Sequence, residues 1–380
     1  MKIKISRDAL NEAIQDVSKA ISNRTTIQIL NGIKFEAGAE GVMLTASDAE
    51  ISIQSFIPAE KDGNTVVAVE QPGSVVFPAK FFAEIVRKLP TEEIDIEIKQ
   101  NFIAWIRSGM AEIQIVGVDP EEYPLLPQIE KNRAISIASD LLKTMIRQTS
   151  FAVAVTETSP ILTGVLWTLD GDRLKLTACD RLRMASREAG IHNEHQERFH
   201  DIVIPGKSLN ELAKLLPDQN SLVDIYVADN QVMFKIDTVS FYTRILDGTY
   251  PDMSKLIPQS FQTELTVNTK KLTDAIDRAY SLSREEKTNI VKLSLQDDRT
   301  IEISSSSSEL GKVTEHLDVH QRSGENITVS FNSRYMLDAL KAIDSDFVRI
   351  GFRGATQPIF IKPEDHSNMV HIIMPYRTAG

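Results

Sequence analysis

Residues 78–90 read PAKFFAEIVRKLP, and residues 205–217 read PGKSLNELAKLLP, the same pattern 127 residues later. Each stretch follows an apolar, strand-like run, Ser74-Val75-Val76-Phe77 in one case and Asp201-Ile202-Val203-Ile204 in the other. Proline opens each as a helix and proline stops it, because proline fits the first turn but breaks a helix interior. A third copy, NSRYMLDALKAI at 332–343, follows Ile327-Thr328-Val329-Ser330 after a further 127 residues and takes Asn332 as its N-cap. Base, acid and base recur in register: Lys80, Glu84, Arg87; Lys207, Glu211, Lys214; Arg334, Asp338, Lys341. At this spacing the three side chains share one helix face, while Phe82, Ile85, Val86 and Leu89 form the opposite, apolar one.

A second repeat interleaves with the first. Ile29-Leu30-Asn31-Gly32-Ile33, followed by Leu44-Thr45-Ala46-Ser47-Asp48, returns 132 residues later as Ile161-Leu162-Thr163-Gly164-Val165, followed by Leu176-Thr177-Ala178-Cys179-Asp180. Each copy is preceded by an amphipathic helix, through Leu10, Ala13, Ile14 and Val17 in the first and Leu142, Met145 and Ile146 in the second. A weaker third copy has Leu272, Ala275, Ile276 and Ala279 on its helix and Ile290-Val291-Lys292-Leu293 as its strand, without the glycine. A period this long exceeds that of solenoid repeats and points to tandem domains. The fold expected is α+β, with three domains at 1–120, 128–248 and 258–380, linked at 119–127 and 247–258. Each domain doubles a strand, helix and three-strand unit, with antiparallel sheets outside and two helices inside. The helices are predicted at 7–24, 80–88, 138–149, 206–216, 269–287 and 332–343.

Three hundred and eighty residues exceed the usual size of one core, in keeping with several domains. The N-terminus alternates like a strand, no apolar run approaches a membrane span, and a cytoplasmic location is expected. Cys179 is the one cysteine, which excludes an intrachain disulfide and a cysteine metal cage and suits a small buried hydrophobe. The net charge of −11 argues against a nucleic-acid partner until its distribution is counted. The predicted helices hold 17 basic and 11 acidic residues, so they carry +6 and the rest of the chain −17. A basic helical face set against an acidic back follows if the helices line one surface.

Catalytic signatures are missing: there is no glycine-rich phosphate loop, GxSxG or HExxH. His192, His195 and His200 lie in a polar connection that reads as a solvated loop rather than a metal site. Asp48 and Asp180 read as turn caps. An enzyme reading is thereby left as a minor alternative, and no metal site is expected.

The segments 23–25 with 31–32, Ala178-Cys179-Asp180-Arg181-Leu182-Arg183-Met184-Ala185, Asp247-Gly248-Thr249-Tyr250-Pro251-Asp252 and Met374-Pro375-Tyr376-Arg377, with the threefold repeat, resemble the bacterial DNA polymerase III beta subunit, the sliding clamps. The resemblance spans the whole chain, and it implies no catalysis and no cofactor. It implies a head-to-tail homodimer closing into a ring of six domains, with helices around a hole that encircles duplex DNA. It also implies that the ring tethers the replicative polymerase subunit, the clamp loader and other proteins with a clamp-binding motif. In that family a hydrophobic pocket between the second and third domains takes short partner peptides. By position its walls here are Leu162, Cys179, Leu182, Arg183, Met184, Pro251, Leu256, Pro358, Ile372, Met374, Pro375, Tyr376 and Arg377. Members usually have Thr or Ser, Asp, a small residue, then His-Arg-Leu where this chain has Cys179 to Met184, so Leu182 replaces a histidine.

DNA contact is expected from Arg24, Lys80, Arg87, Lys143, Arg147, Lys207, Lys214, Lys271, Arg278, Arg334 and Lys341, all on predicted helices or their ends. Such a lining attracts phosphates without reading bases. Ring closure is expected to pair strand Ala111–Val116 with an edge of the third domain, where Ile113 and Ile115 meet Tyr280 and Leu282. A peptide-binding scaffold that never encircles DNA, and a metal-dependent hydrolase using His192 and His195, are the rival readings.

Overall fold

The computed structural model describes the chain apart from residues 23–24, 127–128, 131–132, 157, 220, 254–255, 259, 286–288, 296–298, 308, 366–367 and 377–380. Among the described residues, six α-helices interrupt antiparallel strands: α1 (Arg7–Ser18), α2 (Ala79–Lys88), α3 (Ser139–Thr149), α4 (Gly206–Ala213), α5 (Thr269–Glu285) and α6 (Ser333–Lys341). Asn332 caps α6, its side chain accepting from the Arg334 and Tyr335 amides. Three predicted helices overrun their observed ends, 332–343 by two residues beyond Lys341 and the other two by more. α1 stops at Ser18 because the Lys19, Ala20 and Ile21 amides bond to the Asp16, Val17 and Ser18 carbonyls at 3.3, 3.0 and 3.0 Å. α4 stops at Ala213 because the Lys214 and Leu215 amides reach Glu211 and Leu212 at 3.1 and 2.9 Å. These i→i+3 turns tighten the chain while keeping nearly the same side-chain spacing, so periodicity overran the helix ends.

The chain forms two compact units, one of residues 1–140, 192–195 and 211–245, the other of 141–191, 196–210 and 246–380. In the first, a five-stranded sheet runs Ala111–Val116, Ile103–Ser108, Glu93–Ile98, Lys2–Ser6, Val67–Gln71. An eight-stranded sheet runs Ile135–Ala138, Leu222–Val227, Gln231–Ile236, Val239–Arg244, Ile51–Pro58, Gly41–Ser47, Gly32–Gly38, Gly73–Pro78. Its continuity rests on the antiparallel pairing of Val239–Arg244 with Ile51–Pro58, which puts Phe241 opposite Ile53. α1 buries Leu10, Ala13, Ile14 and Val17, and α2 buries Ala79, Phe82 and Val86. Phe82 stacks on Phe77 at 4.3 Å, and Phe35 meets both rings edge-on.

In the second unit a nine-stranded sheet runs Phe199–Pro205, Gly164–Asp170, Arg173–Cys179, Arg183–Gly190, Met369–Ile373, Ile359–Pro363, Phe347–Phe352, Thr263–Asn268, Gln321–Gly324. A four-stranded sheet runs Gly311–Asp318, Thr300–Ser307, Ile290–Leu295, Ile327–Asn332. Leu272, Ala275, Ile276 and Ala279 of α5 share a core with Met336, Leu337, Ala339 and Leu340 of α6 and with Val291, Leu293, Phe331 and Ile350 of the sheets. Each large aliphatic side chain buried there contributes roughly 1.5–3 kcal/mol.

Close strand approach explains the glycine of the second repeat. A Cβ on Gly32 would lie 2.4 Å from Val76 Cγ1, and one on Gly164 would lie 2.5 Å from Val203 Cγ1. Tyr123 and Tyr250 then fill matching positions, each hydroxyl 3.5 Å from the carbonyl of its glycine, Gly32 or Gly164. Burial pushes both phenols well above their ordinary pKa.

Candidate functional site

The candidate site grows from a turn that the chain uses twice. Asp180 Oδ1 accepts from the Leu182 and Arg183 amides at 3.0 Å each, as Asp48 Oδ1 accepts from Glu50 and Ile51 at 2.9 Å each. Both aspartates are thus turn caps. The residue after each is left-handed, with φ 76° at Arg181 and 75° at Ala49, a conformation costing an L-residue roughly 1–2 kcal/mol. The turn ends strand Arg173–Cys179 and starts strand Arg183–Gly190. The Cys179 amide donates to the Tyr250 hydroxyl at 2.9 Å, which anchors Tyr250 beside the turn. Cys179 is buried and free, and burial pushes its thiol up, so it serves as packing rather than as a nucleophile.

Beside this turn lies a cavity of about 460 Å³. Eight of the expected pocket residues line it: Leu162, Cys179, Arg183, Met184, Pro251, Leu256, Ile372 and Met374. Leu182, Pro358, Pro375 and Tyr376 do not, and Arg377 lies outside the described residues. The Leu182 side chain is exposed, and its carbonyl accepts from the Met374 amide at 2.8 Å. The Tyr376 amide donates to the Ser330 carbonyl at 2.7 Å, which leads the tail away from the cavity wall. Ser159, Ile161, Arg181 and Met253 complete the lining and were missed. The repeat could have found Ile161, since its counterpart Ile29 packs on Leu30, Val76 and Tyr123.

The two arginines of the lining differ. The Arg183 side chain is 9% exposed; its Nε donates to Asp180 Oδ2 at 3.0 Å and its Nη1 to Asp338 Oδ2 at 2.6 Å. Its guanidinium also lies 4.5 Å from the Tyr335 ring centre and 5.6 Å from that of Phe151. Arg183 is therefore a strut between the cavity wall and α6, and not the free rim anchor that position alone suggests. Arg181 is exposed, and Nη2 donates to Ser159 Oγ.

The basic helix faces resolve in a regular way. In each base-acid-base set the acid is already paired: Glu84 with Lys88, Glu211 with Lys214, Asp338 with Arg183. The Lys88 ammonium holds the Glu84 carboxyl below its ordinary pKa. Lys80, Arg87, Lys207, Lys271, Arg334 and Lys341 are exposed and make no ion pair among the described residues. The other expected contacts differ. Lys214 is paired, Lys143 is half-buried, and Arg147 donates to Asp344 and to the Lys341 carbonyl. Arg278 forks onto Glu315 at 2.6 and 2.7 Å, which lowers the Glu315 pKa. Arg24 lies outside the described residues.

Strand Ala111–Val116 is an edge of the five-stranded sheet, and strand Gly311–Asp318 is an edge of the four-stranded one. Ile113, Tyr280 and Leu282 are half-buried. Ile115 is 2% exposed, and so its side chain belongs to the core of its own chain and not to a contact with a second copy. Ile113 and Ile115 share one face of the strand, but its own chain covers Ile115 fully and Ile113 only in part, while Glu112, Gln114 and Val116 lie on the other face. Among the described residues no three metal-binding side chains converge, and His192 Nε2 stands 3.9 Å from Glu194 alone in a polar segment.

Comparison with known proteins follows the same plan along the whole chain. Family models match as DNA polymerase III beta subunit, N-terminal domain (1–127), central domain (136–252) and C-terminal domain (254–377). The beta sliding clamp of Bacillus subtilis is 50% identical over 378 residues, all of both chains, and that of Staphylococcus aureus strain N315 is 42% identical over the same span. The crystal structure of the DNA polymerase sliding clamp from Bacillus subtilis superposes with a TM-score of 0.96 at 49% identity, covering 100% of this chain and 99% of that one. The DNA polymerase beta subunit of Streptococcus pyogenes gives 0.94 at 33% identity, with all of both chains covered. The chain belongs to the DNA polymerase III beta subunit family.

Proposed function

We propose that the protein is a processivity clamp: two copies join head to tail as a ring around duplex DNA and hold the replicative polymerase and other factors to the template. The observation that carries this reading is the pairing of the acids on α2, α4 and α6, which leaves the exposed cations Lys80, Arg87, Lys207, Arg334 and Lys341 for phosphates. Few, exposed and unordered by base edges, such contacts are weak and sequence-independent, as sliding requires. The three domains at 1–120, 128–248 and 258–380 and a cytoplasmic location belong to the same proposal. So does a cavity occupant that is a short extended peptide. Its two or three large apolar side chains must offset the lost backbone freedom by filling a preformed cleft, and methionines such as Met184 and Met374 adapt to differing side chains.

Retention on DNA tests it. Protein assembled with a clamp loader on singly nicked circular plasmid co-elutes with the DNA and is released when the plasmid is cut, because the link is topological. Replacing Lys80, Lys207 and Lys341 by glutamate weakens retention equally for plasmids of any sequence. Retention that survives linearisation, or that ignores these changes, overturns the ring.

A further inference from the structure

We propose that Arg181 makes the cavity select peptides carrying a carboxylate beside their apolar pair. This rests on the peptide-binding reading above and adds a specificity to it. The cavity is otherwise walled by Ile161, Leu162, Met184, Ile372 and Met374, which reward apolar surface of almost any shape and discriminate little. A polar group at the rim must supply the selection, and the rim offers two guanidinium groups. Arg183 cannot, because Asp180 and Asp338 already engage it. Arg181 can: it is exposed, its one side-chain hydrogen bond goes to the neutral Ser159 hydroxyl, and no carboxylate pairs with it among the described residues. A guanidinium has five N–H donors arranged to match a carboxylate, and at Arg181, which lines the cavity, a single one is engaged, by Ser159, among the described residues.

The neighbouring acid does not quench it. Asp180 gives Oδ1 to two backbone amides and Oδ2 to Arg183, so both of its oxygens are engaged, and it forms no ion pair with Arg181. Nor does the turn require an arginine. The equivalent turn at 47–52 places Ala49 at the same left-handed position with the same Asp cap, so the backbone forms without a long side chain there. The guanidinium is an addition to the turn, set where a bound peptide would pass.

The experiment uses the full-length protein and labelled peptides with a Leu-Phe pair, scanned with Asp, Asn or Lys at each of three flanking positions. At one position the Asp peptide binds about 1.5- to fivefold more tightly than its Asn counterpart, the range for an exposed ion pair. That ratio falls to one in Arg181→Ser, and Arg181→Glu prefers the Lys peptide; binding of the Asn peptides by each variant shows that its cavity is intact. Equal affinity for Asp and Asn at every position, or an Asp preference that persists in Arg181→Ser, overturns the assignment to Arg181. Failure of every peptide to bind the unaltered protein overturns instead the peptide-binding reading on which it stands.

Discussion

His371 gives the second unit a calculable weakness to acid. It sits in the middle of strand Met369–Ile373, 1% exposed, with Nε2 3.2 Å from the Gln148 carbonyl of α3 and its ring edge-on to Phe151 at 5.3 Å. Nδ1 has no hydrogen-bond partner, so the neutral ring with its proton on Nε2 fits the site and the cation does not. Burial pushes its pKa down to about 4, against the pull of the Gln148 and Ala339 backbone. The unfolded chain has an ordinary histidine, near 6.5. Above pH 6.5 both states are neutral and the full stability is present. Below it the unfolded state binds a proton that the folded state refuses, so stability falls by about 1.4 kcal/mol per pH unit until the folded pKa is reached. The loss is about 1 kcal/mol at pH 5.5 and about 2–3 kcal/mol at pH 4.5. His371→Gln keeps an amide donor for the Gln148 carbonyl and removes the titration. Trp167 is buried in the same sheet, so urea unfolding followed by tryptophan fluorescence in a Trp105→Phe background reports this unit. At fixed protein concentration, the difference between parent and His371→Gln should shrink or reverse by those amounts between pH 7.5 and pH 4.5. Parallel pH dependences would mean that His371 is protonated without penalty, and that the burial argument is wrong.

Ile113→Asp puts a carboxylate on the half-buried side of edge strand Ala111–Val116, where leaving it unpaired costs several kcal/mol or about that, and sedimentation should show monomers; an intact dimer at low protein concentration would place the interface elsewhere. Ending the chain at Ile373 removes Met374 from the cavity wall together with its hydrogen bond to Leu182. The shortened protein should still dimerise, yet bind a Leu-Phe peptide about tenfold more weakly, or roughly 1.4 kcal/mol, and unchanged affinity would exclude Met374 as a wall.

Repetition made the fold legible. The helices, the turn-capping aspartates and the glycine at tight strand approach each occur at least twice, so one copy checks another. What repetition could not reveal was where side-chain partners come from. Asp338 reads as one member of a helix-face triad, but the fold brings Arg183 onto it from 155 positions away, and Arg278 loses its freedom to Glu315 in the same manner. Ile115 was misread for a related reason: strand alternation gives two faces but not which of them is covered. In the cavity, the strand and linker residues were found by resemblance. The error fell on the tail, where Pro375 and Tyr376 follow the Met374 wall in sequence but not in space. Arg181 stands in the quoted segment, and its exposure and its lack of a carboxylate partner among the described residues distinguish it from Arg183.

Two of the sheet-edge strands, Ala111–Val116 and Gly311–Asp318, differ in sequence and lie in different units of the chain. A contact that joins one to the other is heterologous, and every copy added to an open chain leaves one edge of each kind unsatisfied. Closure is what ends the growth. In a closed pair, losing one contact does not release a subunit, because the second contact keeps the parted edges within a few tens of ångströms at a local concentration of order millimolar. Opening and dissociation are thus separate events with separate rates. A circular template held by such a pair can therefore leave through one parted contact while the other still holds the copies together.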